Sequence, residues 1–120
     1  MPYEILGNHY LFPTEPFLRD DKHFVPLRDT VETLGGRVDF DAASDSAVAT
    51  ITSYAARVVA GNRHVDVSGT PVTLSADPFV EKDEFYVPFD FFRDAYGYDV
   101  MFDNGTVSIT LPGQTNPQGA

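Results

Sequence analysis

Leu27, Val31 and Leu34 fall at i, i+4 and i+7, and later in the chain Phe89, Phe92 and Tyr96 fall at i, i+3 and i+7. Each set forms one apolar stripe on a helix of about two turns. Pro26 and Pro88 stand just ahead of the two stripes, at the first helical turn, where a missing N–H costs nothing. Gly35 and Gly97 follow the stripes, where a left-handed residue ends a helix. Beyond each glycine the pattern changes to alternation, with Val38 and Phe40, or Val100 and Phe102, on one strand face. Phe40 and Phe102 are therefore expected in equivalent buried positions.

These two segments are copies of one motif. Gly7–Asp41 aligns with Gly69–Asp103 without a gap, at an offset of 62 (69 − 7). The identities include Pro16/Pro78, Phe17/Phe79, Asp21/Asp83, Val25/Val87, Pro26/Pro88, Gly35/Gly97 and Asp41/Asp103. They are turn formers and core types, which shared geometry requires. In each copy a polar turn (Arg19–Lys22, Glu81–Glu84) leads into a β-rich run that ends at the proline. Asp103-Asn104-Gly105 reads as a hairpin turn, whereas Ala42–Ala47 makes a longer connection before a strand at Val48–Thr52. Ala55–Val59 and His64–Val67 read as a further hairpin across Gly61-Asn62.

Two-turn helices do not hold alone, because nucleation costs more than so few hydrogen bonds return. They must lie on sheet. The expected fold is α+β: two tandem repeats, mostly antiparallel β-sheet, with one short helix per repeat packed on the sheet. The repeats are placed at about 3–52 and 64–111, joined by a hairpin strand over 53–63, in a single domain spanning 1–111. Residues 112–120 are poor in apolar positions and rich in breakers, as in a linker or frayed tail.

Composition narrows the function. The chain has 120 residues, 42% of them hydrophobic, which suffices for one core. Its net charge of −10 argues against a nucleic-acid partner, whose phosphates call for clustered Lys and Arg. It suits a solvated surface, or one that meets cations or basic partners. With no cysteine, disulfides and thiolate chemistry are excluded. No apolar run is long enough for a membrane span. Met1-Pro2-Tyr3-Glu4 lacks the basic and apolar regions of a signal peptide. Either the protein is cytoplasmic, or Met1 opens a piece of a longer exported chain.

The order Val25-Pro26-Leu27-Arg28, Glu32-Thr33-Leu34-Gly35 and Val38-Asp39-Phe40-Asp41 resembles the copper amine oxidase N-terminal-like domain, or stalk domain, of bacterial exported and cell-surface proteins. Phe40 stands where that pattern has Trp. The second copy matches through Val87-Pro88, Gly97, Val100–Asp103 and Thr106–Thr110, and departs at Phe89-Asp90 in place of Leu-Arg. The resemblance runs from about Gly7 to Leu111. It implies a non-catalytic module, without copper or quinone cofactor, in an extracellular or cell-surface protein. The partners it implies are a cell-envelope component or other modules of the parent chain.

The residues agree with that implication. A type-2 copper site needs about three converging imidazoles, and His9, His23 and His64 lie on separate predicted elements. Gly97-Tyr98-Asp99 lacks the Asn that precedes a quinone-forming tyrosine. Asp39, Asp41 and Asp45 cluster carboxylates, but no mid-loop Gly or closing Glu makes a calcium loop of them. The duplication of Asp41 as Asp103 favours turn capping. No nucleophile motif is present for an enzyme, so the expected site list holds no catalytic, cofactor or metal residue. What remains is aromatic. Phe91, Tyr98 and Tyr54 are the candidate contacts for a ligand or partner, either a docking surface or stacking platforms for a glycan. Gly36 beside Gly35 offers a way to absorb a substitution, so alanine at Gly97 is expected to cost more than alanine at Gly36.

Overall fold

The computed structural model describes residues 3–12, 16–19, 21–103 and 105–111. Met1, Pro2, Asn104 and the tail at 112–120, named above, lie outside the described residues. Mostly antiparallel strands carry two short helices, as an α+β fold should.

The centre is a four-stranded sheet. Strand β3 (Phe17–Arg19) pairs with β4 (Lys22–Pro26), and β10 (Phe79–Glu81) pairs with β11 (Glu84–Pro88). The two hairpins join by antiparallel pairing of β4 with β11. Val25 faces Val87, its own counterpart at the offset of 62. The flanking pairs, Phe24 with Pro88 and Pro26 with Tyr86, exchange with one another under the same offset. Two fully buried valines thus sit at the middle of the seam. One face of this sheet, bearing Val25, Val87 and Phe85, is core. On the other, Phe17, Phe24, Phe79 and Tyr86 form a four-ring cluster with centroids 4.9–6.2 Å apart. Edge and offset contacts of this kind suit the ring quadrupoles.

Helix α1 (Leu27–Thr33) follows β4 directly and buries Leu27, Thr30 and Val31, as its stripe requires. The buried Thr30 hydroxyl donates to the Pro26 carbonyl at 2.8 Å, which satisfies a polar group that has no access to water. Strands β5 (Arg37–Asp41), β6 (Ser46–Ile51), β7 (Tyr54–Val59), β8 (Asn62–Val67) and β9 (Thr70–Thr73) then form a five-stranded antiparallel sheet in sequence order.

Helix α2 (Phe91–Tyr96) starts later than its stripe predicts. The Phe89 N–H donates to the His23 carbonyl at 3.0 Å, which carries the β11–β4 ladder one residue past Pro88. Asp90 then becomes the N-cap, its carbonyl accepting from the Arg93 and Asp94 N–H groups. This shift rotates the buried face. Phe91, Phe92 and Ala95 go inward, while Phe89 and Tyr96 are only half-buried. Tyr96 still anchors the helix, its hydroxyl donating to the Ala49 carbonyl at 2.6 Å. Gly97 closes the helix at φ 83, as expected of a left-handed cap.

Strands β12 (Asp99–Asp103) and β13 (Thr106–Thr110) complete the second half. They are joined by the chain's first hairpin, β1 (Tyr3–Ile5) and β2 (Asn8–Tyr10), in the order β12-β13-β1-β2. β1 runs parallel to β13, with Tyr3 beside Val107 and Ile5 beside Ile109. All four of these side chains are fully buried.

Candidate functional site

Of the three aromatic candidates, the structure gives only one an open ring. Tyr54, at the start of β7, is 51% exposed and lines a shallow depression with Ser68, Thr70 and Asp94. Tyr98 is half-buried and leans on Tyr96 at 6.4 Å. Phe91 is fully buried, which corrects its assignment as a contact residue. A one-residue step on a helix reaches solvent only if one side is uncovered. Here α2 packs against both β12 and β9, and Phe91 meets Phe92 and Tyr96 edge-on at 5.0 and 5.6 Å.

The expectation for Phe40 and Phe102 also fails. Phe40 is 41% exposed and Phe102 half-buried. β5 is an edge strand, so the inward face of the alternation is covered at Val38 but runs off the core two residues later. Each ring instead reaches across to the other half. Phe40 meets Phe85 at 6.0 Å, and Phe102 stacks on His23 at 3.9 Å. Phe85 is the offset counterpart of His23, so the two contacts are equivalent.

The Phe40 contact leaves a cleft of about 180 Å³ with Val80 and Phe85 in it and Asp41, Asp45 and Asp83 around it. No lysine or arginine is among its lining residues. Asp41 also caps its own turn, its Oδ1 accepting from the Ala43 N–H at 3.1 Å. The guanidinium of Arg28 lies 4.6 Å from the Phe40 ring centroid, a cation–π contact. Around Arg28 the field is negative. Burial, then the Asp29 carboxylate, push the Glu84 carboxyl above its ordinary range, with Arg28 opposing. Burial, then Glu32, do the same to Asp29. Such a cleft suits a group with an apolar body and a positive end.

A pH test follows. A raised folded-state pKa favours folding below the unfolded pKa and loses that contribution as pH rises through the folded value. Glu84→Gln is therefore expected to raise the melting temperature at neutral pH. The difference should close below about pH 4, where both states hold the proton. Equal melting curves at pH 7 would show that the carboxylate carries no penalty.

Sequence reading missed one polar cluster. The Asp90 carboxylate is buried at the head of α2. It accepts from Ser75 Oγ at 2.8 Å and faces Lys22 Nζ at 3.4 Å and Arg93 Nη2 at 3.5 Å. Its signal was present, since Asp90 stands where the family pattern has Arg. Lys22 also lines a groove of about 380 Å³ with Arg19, Arg63 and Phe79. There Arg19 is paired with Glu81, and Arg63 with Asp77.

The residues do not fit a copper site. His9, His23 and His64 lie on β2, β4 and β8, in three different sheets. His23 is stacked on Phe102, and the Nδ1 of His64 meets Thr73 Oγ1 at 3.2 Å. Among the described residues no group of three His, Cys, Asp or Glu side chains is placed to hold a metal. Nor, among them, is any helix long and apolar enough to cross a membrane.

No curated protein matches the chain. The sequence profile of the copper amine oxidase N-terminal domain matches residues 4–111, which takes in both helices and nearly every strand described above. The chain therefore belongs to the copper amine oxidase N-terminal domain family, a family of N-terminal modules set apart from the catalytic part.

Proposed function

We propose that this chain is a non-catalytic spacer or docking module of an exported, cell-envelope-associated protein. The observation that carries this reading is how the side chains are used. Seven of the 16 Phe and Tyr rings hold the two halves together, from the four-ring cluster to the Phe40–Phe85 and Phe102–His23 contacts. The buried carboxylate Asp90 is likewise held by Ser75, Lys22 and Arg93. Such investment makes a self-supporting body with its chemistry turned inward. The acidic cleft at Phe40 is the surface best suited to a basic partner.

A second reading has its own support. The open ring of Tyr54, with Ser68 and Thr70 hydroxyls and the Asp94 carboxylate beside it, suits stacking and hydrogen bonding to a sugar. This would make the module glycan-binding.

Fractionation and binding separate these readings. The full parent protein, expressed in its own cells, is expected in the envelope fraction and open to protease added from outside. Recovery in the cytosol would sink the envelope assignment. Sedimentation with peptidoglycan or soluble polysaccharide is expected to show no saturable binding. Saturable binding abolished by Tyr54→Ala would replace the spacer reading with the glycan one.

A further inference from the structure

We infer that the parallel pairing of β1 with β13 is a mechanical clamp, which lets the module carry tension along the chain without lengthening. β1 and β13 are the first and last strands of the described chain, and they lie side by side in the middle of one sheet. Their register is Tyr3–Val107, Glu4–Ser108 and Ile5–Ile109, and the Leu6 N–H extends it to the Ile109 carbonyl at 2.8 Å.

Direction decides how such a seam responds to force. In a parallel pair the chain before β1 and the chain after β13 leave at opposite ends of the ladder. Tension through those two segments pulls each strand along its own axis, in opposite senses. The seam is loaded in shear, so its hydrogen bonds share the load at once. An antiparallel hairpin such as β7–β8, pulled at its two open ends, would instead open one bond after another.

Burial strengthens the seam. Slipping it by one residue would turn side chains to the wrong face of the sheet, and Tyr3, Ile5, Val107 and Ile109 are all fully buried. Tyr3 is also packed against Phe12 at 4.3 Å between ring centroids. Every other element, from β2 to β12, lies between these strands in sequence. None of them can extend under end-to-end tension until the seam yields. The biological use of the clamp rests on the spacer reading, but its existence does not.

The chain has no cysteine, so two introduced cysteines give unique handles for single-molecule force spectroscopy. In the shear arm, one cysteine is added before Met1 and one after Ala120. In the peeling arm, the second handle is Asp103→Cys instead. Asp103 pairs with Thr106, at the same end of the sheet as Tyr3, so pulling there draws β1 sideways off its neighbour. At one loading rate, the shear arm is expected to unfold in a single step at several-fold higher force than the peeling arm. Forced unfolding reports the unfolding barrier along the pulled coordinate, so the core common to both arms cannot produce the difference. Tyr3→Ala should lower the force of the shear arm and narrow the gap. Equal forces in the two arms, or stepwise lengthening at low force in the shear arm, would overturn the clamp. A clamp found in a parent protein that stays in the cytosol would leave this inference standing and remove the spacer reading.

Discussion

Phe91→Ala is expected to lower the unfolding free energy by about 3–5 kcal/mol, the usual cost of removing a fully buried phenylalanine. Phe91 is 0% exposed, in a group with Phe92 and Tyr96 at the junction of α2 with β12 and β9. A loss of that size is a large share of the roughly 5–15 kcal/mol that stabilises a domain. Phe40→Ala makes the comparison. That ring is 41% exposed, so it forfeits only part of the transfer energy of a buried phenylalanine, about 1 kcal/mol. Urea unfolding followed by circular dichroism measures both. The Phe91 variant should shift the midpoint far more than the Phe40 variant, with similar slopes. The reverse order would put the core where the repeat pattern alone placed it, and would make the rotated face of α2 wrong.

Gly36→Ala is expected to destabilise more than Gly97→Ala, the opposite of what the tandem glycines suggest. A Cβ on Gly36 would sit 2.3 Å from the Thr50 carbonyl oxygen, 2.8 Å from Ile51 Cγ1 and 3.0 Å from Val31 Cγ1. The first of these atoms is backbone in β6, opposite Arg37 in the β5–β6 ladder. It cannot retreat without parting the strands, so the cost falls at the upper end of overpacking, about 3 kcal/mol. Gly97 is different in kind. Its φ is 83 and, its own chain neighbours aside, no described atom lies within 4 Å of where a Cβ would stand. Alanine there meets only the left-handed backbone penalty, about 1–2 kcal/mol. Thermal melts of the two variants decide the order. A smaller drop for Gly36→Ala would mean that β6 gives way readily beside Gly36, contrary to the packing described.

That reversal shows where a local reading stops. Gly35 and Gly97 were legible because a left-handed cap is a property of the chain next to them, and both have positive φ. Gly36 is glycine for a reason 14 residues away, at Thr50, which no nearby residue announces. The aromatic candidates divide in the same way. Tyr54 follows a turn and is exposed, as local polarity suggests. Phe91 is buried because strands from two sheets cover both sides of a six-residue helix. Asp90 was visible as a departure from the family pattern, yet its partners Lys22 and Ser75 come from other elements.

By itself the sequence determined the α+β class, the two short helices with their glycine caps, and the family. The helices and caps follow from periodicity and turn chemistry, which act between near neighbours and are therefore written consecutively; the family follows from the order of its motifs along the chain. Only the tertiary structure decided which strands meet. It set Val25 against Val87, β1 parallel to β13 and Phe40 at an open edge. The physical reason is that strand alternation specifies a face but not a neighbour. The neighbour is chosen by the combined burial of faces far apart in the chain, and that quantity exists only once the sheets have come together.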